Sequence, residues 1–234
     1  MKITINEPLI RRNKKIGQVC TIASLLVLAG GLVLSFQKPT AILFTDSLTL
    51  SFVALILGFV LSQVGIFYGN RWGRSPRPDE MINQSLKGLD DQYSLIHYQS
   101  PASHLLIGPS GIWTLLPYYQ GGKITFSKGR YHQKGGGFFM KLFGQENLGR
   151  PDLEAEGQIS EIRRLLEKRM EPDAIPPIQA ALIFTSPKAE LEVEESPYPV
   201  ITPKKVKDTV RKKNKTSVMT PEKIAELEDI LIKK

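Results

Sequence analysis

Cysteine is almost absent: Cys20 is the only one, and it lies inside an apolar run, so neither a disulfide framework nor a cysteine metal site can be built. Carboxylates are missing from residues 95–126, a stretch that can therefore offer no acidic oxygen ligand to a hard cation. The three histidines, His97, His104 and His132, have no cysteine partners and no recognisable ligand spacing, which argues against zinc. A lone histidine in a strand more often bonds a backbone group than serves as a base, and His104 has no evident orienting partner in the sequence. No Gly-Lys-Ser/Thr ending follows a glycine-rich loop, so a Walker-type phosphate cradle is excluded. Charge is missing altogether from residues 16–36 and 48–68.

Those two uncharged runs are what the chain has most distinctively. Each has about the 20 apolar residues needed to cross roughly 30 Å of hydrocarbon, so a transmembrane helical hairpin is expected over residues 16–69. The rival reading of the first run is a cleavable signal peptide; the run is long for that, and no small-x-small cleavage site follows it. Arg11, Arg12, Lys14 and Lys15 precede the first span, Arg71, Arg74 and Arg77 follow the second, and only Lys38 sits between them. By the positive-inside tendency both termini are expected in the cytoplasm, with the hairpin in the plasma (inner) membrane of a bacterium. In the second span Ala54, Gly58, Ser62, Gly65 and Gly69 form a small-residue stripe that suits close helix packing, either against the first span or in a homodimer.

The net charge of +8 divides evenly: residues 1–69 carry six Lys/Arg against Glu7 and Asp46, and the rest carry 25 against 21 acids. After a basic segment (1–15), the hairpin and a proline-containing linker (70–78), about 155 residues remain, enough for one hydrophobic core. Within 79–234, Asp79 is placed to cap a helix to about residue 89, with Met81, Ile82, Leu86 and Leu89 on one face. Strand-like runs at 93–98, 104–108, 112–116 and 123–126 are separated by turn residues and read as an antiparallel meander. A glycine-rich loop, a helix over 152–170 and an unbroken apolar strand over 178–184 follow; such a strand is buried on both faces. Thr202-Pro203 and Thr220-Pro221 are helix starts, since proline tolerates the first helical position and threonine caps it.

The stretch from Ser103 through Trp113, with His104, Gly108, Pro109, Ser110 and Gly111 in place, resembles the NERD (nuclease-related) domain, a presumed relative of the PD-(D/E)XK nucleases. Gly121 or Gly122 matches a later glycine of that pattern, and the likeness extends more weakly to about residue 224. The resemblance implies an α/β (α+β) fold: a restriction-endonuclease-like mixed sheet flanked by helices. It also implies where catalysis would sit, and there the chain departs: the family's aspartate falls on Ser103, and its Glu-x-Lys on Leu116-Pro117-Tyr118. Nucleases of this kind need two carboxylates on a divalent metal and a lysine to stabilise phosphoryl charge. The expectation is therefore a pseudonuclease with no catalytic residues, no metal and no cofactor, acting as a binding or assembly module. Two alternatives stand beside it. One is a nuclease with displaced ligands drawn from Glu80, Asp90, Asp91 and Glu154; the other is a structural protein that oligomerises through its spans.

Two surface features are candidates for binding. Lys204, Lys205, Lys207, Arg211, Lys212, Lys213 and Lys215 form a basic cluster, and Val206 with Val210 turns it towards solvent, where it could meet nucleic acid or anionic lipid. Phe138, Phe139, Leu142 and Phe143, between Lys134 and Lys141, suit a segment dipping into a membrane surface, or a short helix packed on the domain. The partners expected are thus the lipid bilayer and a nucleic acid, an anionic lipid or a protein, with a homodimer as the oligomeric option.

Overall fold

In the computed structural model, residues 1–36, 47–135, 147–213 and 219–232 are described. They form two compact units, one of residues 7–77 and one made of residues 1–6 together with 78–234.

The first unit is a pair of antiparallel helices, α1 (Glu7–Ser35) and α2 (Ser47–Tyr68), followed by a π-helical turn, Gly69–Gly73. Both helices are long and apolar enough to cross a membrane. Small residues set their closeness: a Cβ added at Gly58 would lie 2.5 Å from Leu28, one at Gly65 2.5 Å from Thr21, and one at Gly31 2.7 Å from Ala54. Ala54, Gly58 and Gly65 of the stripe therefore face α1, whereas Gly69 meets nothing within 4 Å. Outside that seam the helices expose Val19, Ile22, Leu25, Leu26, Phe52, Leu55 and Phe59. A run of apolar surface this long is unfavourable in water, at about 25 cal/mol per Å².

The second unit is built on a mixed sheet that begins before the hairpin. The segment expected to be a basic tail instead opens with β1 (Lys2–Ile5), which pairs in parallel with β2 (Ser94–His97), and α1 already starts at Glu7. Alternating Lys2-Ile3-Thr4-Ile5 carries β-branched residues that suit a pleated edge, a signal overshadowed by the cations further on. β2, β3 (His104–Gly108) and β4 (Gly111–Tyr118) form an antiparallel meander as expected, but the fourth strand expected in it, 123–126, lies in a second sheet instead. β4 then pairs in parallel with β7 (Ile178–Phe184), and β7 with the short β9 (Val200–Ile201), giving the order β1-β2-β3-β4-β7-β9. Between β4 and β7 the chain makes β5 (Gly122–Ser127) and β6 (Arg130–Lys134), which join β8 (Ala189–Glu192) in a small second sheet.

Helices cover both faces of the main sheet. On one face, Ile82 of α3 (Pro78–Ser85) and Val206 and Val210 of α5 (Pro203–Lys213) pack with Leu95, Leu106, Trp113, Leu115 and Ile183. On the other, Ile162 and Leu166 of α4 (Pro151–Leu166) and Ile224, Leu227 and Leu231 of α6 (Pro221–Leu231) meet Ile96, Leu105, Ile107 and Ile112. That accounts for the unalternating apolar strands: β3 and most of β4 and β7 are buried on both sides. The first helix is shorter than its periodicity suggested; it ends at Ser85, and Leu86 and Leu89 reach the core from turn-like bonds beyond it. The Thr220 side chain accepts from the Lys223 amide, as expected of an N-cap.

The Gly-Pro-Ser-Gly turn is explained by packing. A Cβ on Gly108 would meet the Tyr93 ring at 2.4 Å, and Gly111, at φ +112°, would meet the Pro177 carbonyl oxygen at 2.3 Å. Ser110 Oγ accepts from Trp113 Nε1 at 3.2 Å, and the Ile112 amide donates to Pro177 O at 2.9 Å, aligning β4 with β7. Gly111→Ala is expected to cost about 3 kcal/mol, combining backbone strain and a backbone clash. Denaturant unfolding followed by Trp113 fluorescence checks it, with Gly129→Ala, where nothing lies within 4 Å, expected to cost clearly less.

Candidate functional site

The positions where the nuclease-related pattern would carry its chemistry lie at one end of the central strands. Ser103 immediately precedes β3 and is exposed. Leu116 and Tyr118 point from β4 into a packed cluster with Tyr131, Leu148, Ala155, Leu182 and Phe184; Leu116 is 2 % exposed and Tyr118 7 %. The Tyr118 ring stacks on Phe184 with centroids 5.4 Å apart, and its hydroxyl donates to Glu154 Oε2 at 2.6 Å. Burial first, and then the neighbouring Glu154 carboxylate, push the Tyr118 phenol well above the ordinary tyrosine range, so it stays a neutral donor. Further along β4, Thr114 donates to Gln158 of the same helix, α4. The small second sheet closes the cluster from the side: Tyr131 bonds the Ser196 hydroxyl, which in turn donates to Tyr198 O at 2.7 Å.

The displaced acids do not gather. Glu154 is held by Tyr118; Asp90 accepts from the Gln92 amide at 3.2 Å; Asp91 accepts from the Met1 amine at 2.8 Å; Glu80 lies exposed on α3. Among the described residues no three His, Cys, Asp or Glu side chains converge in a way that would hold a metal ion.

A polar cluster that sequence reasoning missed lies under α3. His97 on β2 and His104 on β3 stand directly opposite in the antiparallel register, both buried, with Nδ1 to Nδ1 at 2.8 Å. His97 Nε2 lies 3.0 Å from Asn83 Oδ1. The set is satisfied when His97 donates through Nε2 to Asn83 and accepts at Nδ1 the proton carried by His104 Nδ1. Tyr98, at φ +60°, lays its ring edgewise on His104 with centroids 4.9 Å apart, and its hydroxyl reaches within 3.5 Å of the fully buried Asp79. Asn6, just after β1, donates to Tyr98 O at 3.2 Å. The two histidines are thus partners rather than isolated residues. Strands read as 93–98 and 104–108 would set residue 98 opposite 104; the chain instead leaves the sheet at Tyr98, and His97 takes that place.

The basic cluster is divided by the structure. Val206 and Val210 are buried as expected, but Lys207 Nζ donates to Lys87 O at 2.9 Å and Arg211 to Gly88 O at 3.2 Å. Those two side chains tie α5 to the end of α3, leaving Lys204, Lys205 and Lys212 as exposed cations with no such tie. The Lys213 side chain and Lys215, and Phe138, Phe139, Leu142 and Phe143, lie outside the described residues.

Comparison with protein-family models, with curated proteins and with solved structures finds no match to this chain.

Burial, and then the neighbouring His97, hold His104 well below the ordinary histidine value of about 6.5. A depressed folded-state value means the unfolded chain takes up the proton first. The stability this pair confers is therefore complete above about pH 6.5 and lost as pH falls from there towards the folded-state value. Thermal unfolding of the full chain in detergent is expected to show a midpoint that drops between pH 7.5 and about pH 5.5, and His104→Gln is expected to flatten that drop.

Proposed function

We propose that this chain is a membrane-anchored, nuclease-related domain without nuclease chemistry, serving on the cytoplasmic side of a bacterial plasma membrane as a binding or assembly module. The observation that carries the reading is the state of the family's Glu-x-Lys positions. Leu116 and Tyr118 are part of the hydrophobic core, and the hydroxyl of Tyr118 donates to one carboxylate oxygen of Glu154. A divalent cation would have to displace packed apolar side chains to reach that point, and an unpaired charge placed there would be costly. The order of elements supports the fold half of the proposal: helix, three-stranded meander, crossover helix and a parallel buried strand, in a mixed sheet covered on both faces.

Topology has its own support. β1 precedes the hairpin and β2 follows it, yet the two are neighbours in one sheet. A pair of membrane-crossing helices between them must leave from and return to the same side. The flanking cations support the cytoplasm as that side.

For the module's ligand, nucleic acid remains the first class to try, because Lys204, Lys205 and Lys212 are exposed together on α5. The test uses the full chain in detergent, titrated with labelled single- and double-stranded DNA and RNA at low and moderate salt, then incubated with magnesium or manganese. Salt-sensitive binding that weakens in Lys204→Gln/Lys205→Gln/Lys212→Gln, without cleavage, is the expected result. Cleavage that follows the protein and is lost in Glu154→Gln would overturn the proposal in favour of a nuclease with displaced ligands. Absence of binding at either salt would remove nucleic acid and leave a protein partner as the module's ligand.

A further inference from the structure

The water end of the helical hairpin concentrates cations at the boundary with its apolar surface. Arg11, Arg12, Lys14 and Lys15 occupy successive turns of α1 just before the uncharged run, and all four are exposed. Arg11, Lys14 and Lys15 make no ion pair or hydrogen bond among the described residues. The antiparallel packing brings the far end of α2 to the same level: a Cβ on Gly17 would lie 3.0 Å from Tyr68 Cβ and 3.2 Å from the Gly69 amide nitrogen. Lys14 and Lys15 are then within about 5 Å, along the axis, of the π-helical turn that carries Arg71. Counting residues 7–15 and 69–77 together, seven Lys/Arg stand against one acid, Glu7.

A second observation places this collar at a bilayer surface rather than in open water. Phe67, Tyr68 and Trp72 form a connected aromatic group at the same level, with centroids 5.2 to 6.2 Å apart. The Arg71 guanidinium lies 3.8 Å from the centroid of Phe67, a ring that is itself 41 % exposed. Aromatic rings of this kind settle at headgroup depth, and a cation on such a ring keeps its charge at that depth. On α1 the change from exposed cations to exposed Val19 and Ile22 takes about one turn. Arg11, Lys14 and Lys15, without carboxylate partners among the described residues, match the phosphate of an anionic lipid, while neutral zwitterionic headgroups offer them no net charge.

We propose that the base of the hairpin is an anionic-phospholipid site, with Arg11, Arg12, Lys14 and Lys15 gripping the headgroup phosphate and the Phe67-Tyr68-Trp72 group holding the acyl boundary. The inference rests on the membrane-spanning reading of the hairpin and adds the lipid class and the residues.

The experiment reconstitutes the full chain into vesicles of equimolar phosphatidylcholine and phosphatidylglycerol and compares the motionally restricted fraction of spin-labelled probes of each lipid. A several-fold preference for phosphatidylglycerol is expected. It should be lost in Arg11→Gln/Arg12→Gln/Lys14→Gln/Lys15→Gln and kept in Lys204→Gln/Lys205→Gln/Lys212→Gln. Equal restriction of both lipids, or a preference that survives the fourfold change on α1, overturns the site while leaving membrane insertion intact. Failure of the unmodified chain to stay with vesicles under alkaline extraction overturns both. Should the fourfold variant not insert, a salt series on the unmodified chain decides: selectivity that falls as salt rises supports the site, and selectivity indifferent to salt contradicts it.

Discussion

One sheet has to be assembled from strands that lie on either side of an apolar hairpin. β1 supplies the edge next to β2, so residues 1–6 and residues 78–234 belong to one folded unit. Between them lie two helices long and apolar enough to cross a membrane. Parallel strands need a long crossover in any fold, usually a helix on the sheet face. Here the crossover from β1 to β2 runs through the hairpin and α3, and Asn6 anchors its near end by bonding Tyr98 O beyond β2.

The buried histidine pair stands close to that junction. Asn6 reaches Tyr98, Tyr98 covers His104, and His104 shares a proton with His97, which Asn83 orients from α3. Each step is an ordinary hydrogen bond or ring contact. Together they join the edge strand, the meander and the first helix through polar groups that burial makes costly to leave unpaired. The same end of the sheet holds the bond from the buried Tyr118 to the exposed Glu154.

Much of this was legible in the sequence because the signals were local. Two uncharged runs announced the hairpin, and three strands of the meander, the strand buried on both faces and the proline-started helices followed from periodicity and turn residues. The glycines of the Gly-Pro-Ser-Gly turn were recognised as a pattern, but their reasons, the Tyr93 ring and the Pro177 carbonyl, lie 15 and 66 residues away in the chain. What was missed was non-local in the same way. β1 is four residues long and its partner is some 90 residues distant, so no window of sequence reveals it. The sharing of Lys207 and Arg211 with the end of α3 depends on how α5 crosses that helix, and the histidine pair depends on strand register rather than on strand existence.

Packed side chains and a metal site are mutually exclusive around Leu116, Tyr118 and Glu154. Manganese titrated into the full chain and followed by electron paramagnetic resonance reads this directly, since bound ion loses the sharp solution signal. The prediction is that the solution signal persists at equimolar protein, with no stoichiometric site. A stoichiometric loss of signal that is restored in Glu154→Gln would contradict it and place a cation where the structure puts packed side chains.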